Sequence, residues 1–453
     1  MTTASGAPTG IFSMLQRTFG DEKMAAIFSE SATVEAWLRA EAALAQSQAA
    51  LGEMTAQAAD AIEAACVLGS IDMERLWQDS ANVGYPILPL LRQVTAQLPD
   101  EASGSMHYGA TTQDIMDTGL ALQLDAAIDR LDELTCQLGD ALSALAAAHA
   151  QTVMAGRTHA QQAVPITFGA KLATYLRQCI RLRHDLAAVR VETCRVSLHG
   201  AAGTSGGLGS RVAEVRAGMA QRLDLAVGDG PWHVTRDGIA AFGAVSARAA
   251  AVCARLAREV IDLARTEIGE VSESGGHHRG ASSTMPQKVN PIDSEAIVGM
   301  AANVTASAGS LYRAMEAGHE RSAGEWQIEW HALPQIAVLT AGCLRVAARV
   351  VAGLSVDPER MRANLAREQG RTLSEAYMFE LAPELGREVA HDVVYAAAAA
   401  SEARGIELRE ALLEVASIAA PDLPELQPQD YLGQAPHEAY AAIEAWRAQR
   451  ETS

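Results

Sequence analysis

Aromatic side chains are scarce, at 4% of 453 residues, although hydrophobic residues make up 49%. Ala and Leu carry that hydrophobicity, whereas sheets draw on β-branched and aromatic side chains, so closely packed helices are the expected material. Positive charge is also in deficit: 36 Lys and Arg against 55 Asp and Glu leave a net charge of −19. That balance argues against nucleic acid, because binding phosphates needs a basic surface. An acidic exterior is still compatible with a cationic pocket for an anionic substrate. Paired cysteines are missing: Cys66, Cys136, Cys179, Cys194, Cys253 and Cys343 stand singly, with no C-x-x-C. They read as reduced core residues and point to the cytoplasm. The N-terminus lacks a basic segment leading into an apolar run, and no stretch reads as apolar enough to span a membrane. The expectation is a soluble intracellular protein, long enough for two or three modules around a large core.

What the chain does have is helical periodicity. Leu124, Ile128, Leu131, Leu134, Leu138, Leu142 and Leu145 recur three and four residues apart, and so do Val245, Val252, Leu256, Val260 and Leu263. Spacings of this kind put each set on one helix face, which partner helices must cover. The pattern predicts an all-α bundle. Irregular stretches interrupt it at Ser103 to Thr112, around Gly156-Arg157-Thr158-His159, at the Gly-rich run from Gly200 to Gly209, and from Ser272 to Pro291. Loose boundaries near Thr118 and Val356 give an N-terminal helical domain (1–118), a central helix-bundle domain (119–356) and a C-terminal helical domain (357–453).

The richest of these stretches, residues 272–291, contains Gly280-Ala281-Ser282-Ser283-Thr284-Met285-Pro286-Gln287-Lys288-Val289-Asn290-Pro291. Glycines give such a loop the freedom to close over a pocket. It also groups a hydroxyl base with an ammonium and an amide, which can deprotonate a carbon and hold the resulting charge. On composition alone, the plainer reading of a flexible polar surface loop is preferred.

As a word, S-S-x-M-P-x-K-x-N resembles the signature of the fumarase/aspartase superfamily. His107-Tyr108-Gly109-Ala110-Thr111-Thr112-Gln113-Asp114, continuing to Asp117-Thr118, resembles the family's first motif. Gly156-Arg157-Thr158-His159-Ala160-Gln161, continuing through Pro165, Thr167 and Gly169, resembles the second. The three stand in the family's order, and the resemblance covers nearly the whole chain.

The resemblance implies a cofactor-independent lyase that removes a proton next to a carboxylate and expels the group on the neighbouring carbon. Ser282 is placed as the base, with Ser283 the weaker candidate. Lys288 and Asn290 are placed on the aci-carboxylate that deprotonation creates, and Thr111 and Thr112 on a substrate carboxylate. Contacts that tighten as this charge grows lower the barrier. His159 is placed as the acid assisting the leaving group, and Glu295 as the carboxylate that orients it and raises its pKa. Thr158, Gln161, His107 and Arg321 are further substrate ligands. His107 is equally readable as a stacking residue, and Arg157 as either a carboxylate ligand or half of a buried pair. His277 and His278 lack a third ligand at metal spacing, and the glycines from 200 to 209 follow no predicted strand. No metal, nucleotide or flavin is called for.

The closest resemblance is to the 3-carboxy-cis,cis-muconate cycloisomerase branch. It rests on Pro231-Trp232-His233 with Arg236-Asp237, on His319-Glu320-Arg321-Ser322 leading to Trp326, Glu329, Trp330 and Pro334, and on Tyr431-Leu432-Gly433-Gln434-Ala435. The catalytic motifs are more like those of adenylosuccinate lyases, because His159 and Glu295 are both present. A departing carboxylate needs little acid help, whereas an amine benefits from it. The sequence therefore favours β-elimination from a substituted succinate to fumarate or a similar diacid, with an amine or nitro leaving group. Lactonisation by a cycloisomerase is the alternative, and a crystallin-like structural descendant the non-enzymatic one. The resemblance further implies three largely helical domains and a homotetramer, with each active site shared between chains.

Overall fold

A computed structural model describes residues 13–274, 279–280, 284–285, 288–419 and 422–451. These residues are predominantly helical, and the strands among them are short. The elements used below are α1 (Glu30–Ala50), α2 (Thr112–Ala148), β1 (Val153–Thr158), β2 (Gln161–Thr167), α3 (Phe168–Thr193), α4 (Asp237–Leu263), α5 (Ile292–Ala314) and α6 (Glu325–Ala352). Shorter helices lie before α2 and after α6.

Two compact units emerge from the packing. The first takes in Met1–Leu134, Leu182–Ala251 and Gly299–Leu344; the second takes in Thr135–Arg181, Val252–Val298 and Arg345–Ser453. In the first unit, Trp37 and Leu38 of α1 join Leu76, Ile87, Leu90 and Ile115 in one core cluster. In the second, Leu373, Tyr377, Leu381, Leu408 and Leu412 form another.

Most of the two apolar stripes is buried: Leu124, Ile128, Leu131, Leu134, Leu138 and Leu142, and Val245, Leu256, Val260 and Leu263, lie inside, while Leu145 and Val252 are half-buried. Helix starts follow local chemistry. Ser29, Thr55, Asp72 and Asp357 each accept a hydrogen bond from the amide three residues on, satisfying a donor that the first turn leaves free.

Two readings of the sequence need correction. Helices α4 and α6 are long and apolar enough to cross a membrane, with mean hydropathy 1.5 over 18-residue windows. Most of each window is buried within the protein (56% and 72%), so their apolarity serves the core. The stretch around Gly156 is also not irregular. β1 and β2 pair antiparallel, from Val153 opposite Thr167 to Thr158 opposite Gln161, with a register shift between Ala155 and Arg157. A Cβ at Gly156 would sit a tight 3.0 Å from both Ile166 Cγ2 and Val164 O, so glycine eases the shift there. The two-residue turn is His159-Ala160, both at positive φ (50° and 64°). Hairpins of this kind normally carry Asn-Gly, and that signal is missing from the sequence.

Candidate active site

The first unit holds the first motif. Asp114 lies in the opening turn of α2, where its carboxylate accepts from the Thr111 amide at 3.0 Å. The same carboxylate accepts from the amides of His199 (2.8 Å) and Gly200 (2.9 Å), from Ser197 Oγ (3.2 Å) and from His233 Nε2 (2.7 Å). Burial alone would raise the Asp114 pKa, but the bonds from His233, His199 and Gly200 outweigh it and hold the pKa below the usual range. Asp114 thus fastens the Thr111-Thr112 turn to the start of the Gly-rich loop. Gly109 fits only as glycine: its φ is +79°, and a Cβ would lie 2.5 Å from Leu208 Cδ2.

Around this hub, Gln113 donates to His233 O at 2.8 Å and to Asp117 Oδ2 at 3.1 Å. Arg321 donates to Gln113 Oε1 at 3.3 Å and to Ala201 O at 2.8 Å. Both partners are uncharged oxygens, so the guanidinium keeps its charge available for an anion. His107 Nδ1 lies 2.6 Å from Glu41 Oε1. Burial opposes the His107 cation, but Glu41 and then Asp114 outweigh that and raise its pKa. Thr111 and Arg321 are thus joined through Asp114, His233 and Gln113, with Thr112 next in the chain and His107 held separately by Glu41.

Beneath them lies a group that sequence reasoning did not assemble. The Arg236 guanidinium bridges Asp117 (2.9 and 3.1 Å) and Glu329, whose Oε1 it meets at 2.8 Å, with all three side chains buried. Burial first, and then the charge of Glu329, push the Asp117 pKa up to about 6 against the pull of Arg236. The two carboxylates hold the Arg236 guanidinium charged despite its burial.

The second unit carries the other two motifs. Thr158, His159 and Gln161 are exposed at the tip of the β1–β2 hairpin. Arg157 is the structural alternative of its two readings: it forms a bidentate pair with the buried Glu270 (2.6 and 3.0 Å), which also accepts from Asn364 Nδ2 at 2.7 Å. In the signature loop, the Asn290 amide donates to Gly280 O at 2.9 Å. Gly280 has φ +67° and leaves no room for a Cβ, which would lie 2.5 Å from Asn290 O. Glu273 caps α5, accepting from the Asp293 and Ser294 amides at 3.2 and 2.8 Å. Asp293 pairs with Arg279 and, at 2.7 and 2.9 Å, with Arg349. Both ends of the loop are therefore fixed. Lys288 and, on the first turn of α5, Glu295 are exposed.

His159 and Glu295 make no hydrogen bond with each other among the described residues. Ser282, Ser283, His277 and His278 lie outside the described residues. Among the described residues no cluster of His, Cys, Asp and Glu could hold a metal ion.

Sequence reasoning missed the hub role of Asp114 and the partners of Arg157 and Asp293. One signal was present: Thr111-x-x-Asp114 is the spacing of a helix-capping pair. The others join residues far apart in the chain and carry no local mark.

The chain is similar to known proteins along most of its length. Residues 17–306 match a family model described as Lyase, and residues 370–439 match one described as Adenylosuccinate lyase C-terminus. The chain is 39% identical to a 3-carboxy-cis,cis-muconate cycloisomerase of Pseudomonas aeruginosa, over 91% of this chain and 92% of the relative. It is 33% identical to an N-acetyl-S-(2-succino)cysteine lyase of Dickeya dadantii, over 95% and 96%. The crystal structure of the 3-carboxy-cis,cis-muconate lactonizing enzyme of Pseudomonas putida superposes with a TM-score of 0.90 at 36% identity, covering 97% of this chain and all of that one.

Proposed function

Given that the chain belongs to the fumarase/aspartase superfamily of lyases, we propose that it is a lactonising cycloisomerase acting on a polycarboxylate of the 3-carboxymuconate type. The observation that carries this reading is the near full-length likeness to cycloisomerases in both sequence and structure. This favours the alternative drawn from the sequence over its preferred C–N cleavage. From the sequence, that cleavage rests on the presence of His159 and Glu295 alone.

In the lactonising direction, a carboxylate oxygen of the substrate adds to a carbon of the double bond, forming the C–O bond. The neighbouring carbon, next to a carboxylate, takes a proton, and nothing leaves. Ser282 is the group we assign to that proton. Lys288 and Asn290 hold the aci-carboxylate that precedes protonation, while Thr111, Thr112 and Arg321 anchor a second carboxylate. Donors preset for developing charge lower the barrier without reorganising.

A second reading is β-elimination from a succinylated thiol or amine. It is favoured by His159, which stands exposed at a fixed hairpin tip where it could protonate a poor leaving group. We also infer a homotetramer in which three chains contribute to each site. The exposed, uncommitted side chains of His159, Lys288 and Glu295 support this reading.

The test is to incubate purified protein with 3-carboxy-cis,cis-muconate and follow loss of the diene absorbance. Lactone formation that Ser282→Ala abolishes would support the proposal. Fumarate released from a succinylated thiol or amine, with no lactonisation, would replace it with the second reading.

A further inference from the structure

Aromatic residues are few in this chain, yet four of its six tryptophans line one cavity in the first unit. Trp37, Trp77, Trp326 and Trp330, together with Phe28, surround a space of about 300 Å³. Trp326 and Trp330 meet edge to face at 5.1 Å, and Tyr85 stacks on Trp326 at 5.9 Å, so two of the walls are braced. Trp330 and Trp77 are partly open to solvent (40% and 36%), which gives the cavity a mouth.

Asp117 and Glu329 also line it. Both are paired with Arg236, which gives four hydrogen bonds to their oxygens and one to Trp232 O. Two carboxylates share one guanidinium, and the next positive group, His233, is committed to Asp114, so the pair keeps an excess of negative charge at the wall of an aromatic cavity. A charge of that kind is costly to bury unless something balances it. A balancing cation gains from both the carboxylates and the electron-rich ring faces. Because the carboxylates are buried behind Arg236 and the cavity wall is mainly aromatic, the fitting cation is one held by ring faces and charge rather than by donated hydrogen bonds.

We propose that this aromatic cage binds a small quaternary ammonium cation. The site is separate from the proposed Thr111-Thr112 anion site, and the assignment stands or falls independently of the lactonising reading.

Choline serves as the probe, with 3,3-dimethyl-1-butanol as its uncharged isostere. Titration of the full-length protein, followed by calorimetry and by tryptophan fluorescence, should show saturable choline binding about tenfold tighter than the isostere. Trp330→Ala removes a partly exposed ring and should weaken choline about fivefold, with the far-ultraviolet circular dichroism of the variant matching wild type. Glu329→Gln removes the excess charge and should bring choline and the isostere close to parity. Should that variant fail to fold, Trp330→Ala carries the test. Equal binding of choline and the isostere to the wild-type protein would make this a plain apolar pocket and overturn the proposal. Binding of neither would overturn it as well.

Discussion

Asp114 Oδ1 lies 2.7 Å from His233 Nε2, both side chains are buried, and 119 residues separate them. That pair is one spoke of a hub that also takes the Thr111, His199 and Gly200 amides. Asp114→Asn keeps the shape but loses the charge and turns one acceptor into a donor. The expected cost is about 2 kcal/mol in urea denaturation at neutral pH, since hydrogen bonds to charged groups contribute ~1.5–3 kcal/mol. KM for the substrate should rise more than kcat falls, because the Thr111-Thr112 turn is what loosens. An unchanged KM would show that this turn does not hold substrate.

The pH dependence follows from the same carboxylate. Its folded pKa is depressed, so its stabilisation is complete above the unfolded value of about 3.9 and fades as pH falls through the folded one. Wild-type stability should therefore drop below about pH 4, and Asp114→Asn should show a shallower acid limb. Denaturation curves between pH 3 and 6 make the comparison. Parallel limbs would mean that other carboxylates dominate.

Glu270 is buried and grips both Arg157 and Asn364. Glu270→Ala should cost ~3–5 kcal/mol, the usual penalty for stranding a buried charge. Replacing both partners, as Arg157→Met with Glu270→Leu, should recover much of that loss. A double variant no better than Glu270→Ala would show that the pair, and not the stranded arginine, provides the stability.

The His159-Ala160 turn places two side chains in the left-handed region. Ala160→Gly should stabilise the protein by about 0.5–1 kcal/mol and leave activity within about twofold. His159→Ala separates the two functional readings. It should lower lactonisation less than about tenfold, whereas an elimination that needs this acid would fall by ~10²–10⁴.

Mixing Ser282→Ala with Arg321→Ala tests the shared site, because the lactonising account has both variants impaired. Activity above that of either parent, appearing after subunits exchange, is the expected outcome. No recovery, with exchange verified by mixed-tag capture, would mean that each chain carries a complete site.

The sequence was legible wherever structure is local. The leucine stripe of α2 reported most of its own burial, and the residue order of the signature loop carried the resemblance to the family that the whole-chain comparison shows. The hairpin was not legible, because His159-Ala160 is a poor word for a tight turn and only the surrounding strands force it. The buried polar groups were harder still. Arg157 finds Glu270 across 113 residues, and Arg236 finds Asp117 across 119. Such pairs are set by tertiary packing and leave no periodic trace. The apolarity of α4 and α6 was underestimated because scattered polar residues break their runs even though the windows are hydrophobic on average.

The most direct test of the central claim is one assay that offers 3-carboxy-cis,cis-muconate and, separately, a succinylated thiol and a succinylated amine, with lactone and fumarate both quantified. The account expects lactone from the first, abolished by Ser282→Ala and only modestly reduced by His159→Ala. Fumarate from either of the others, with no lactone from the first, would contradict it.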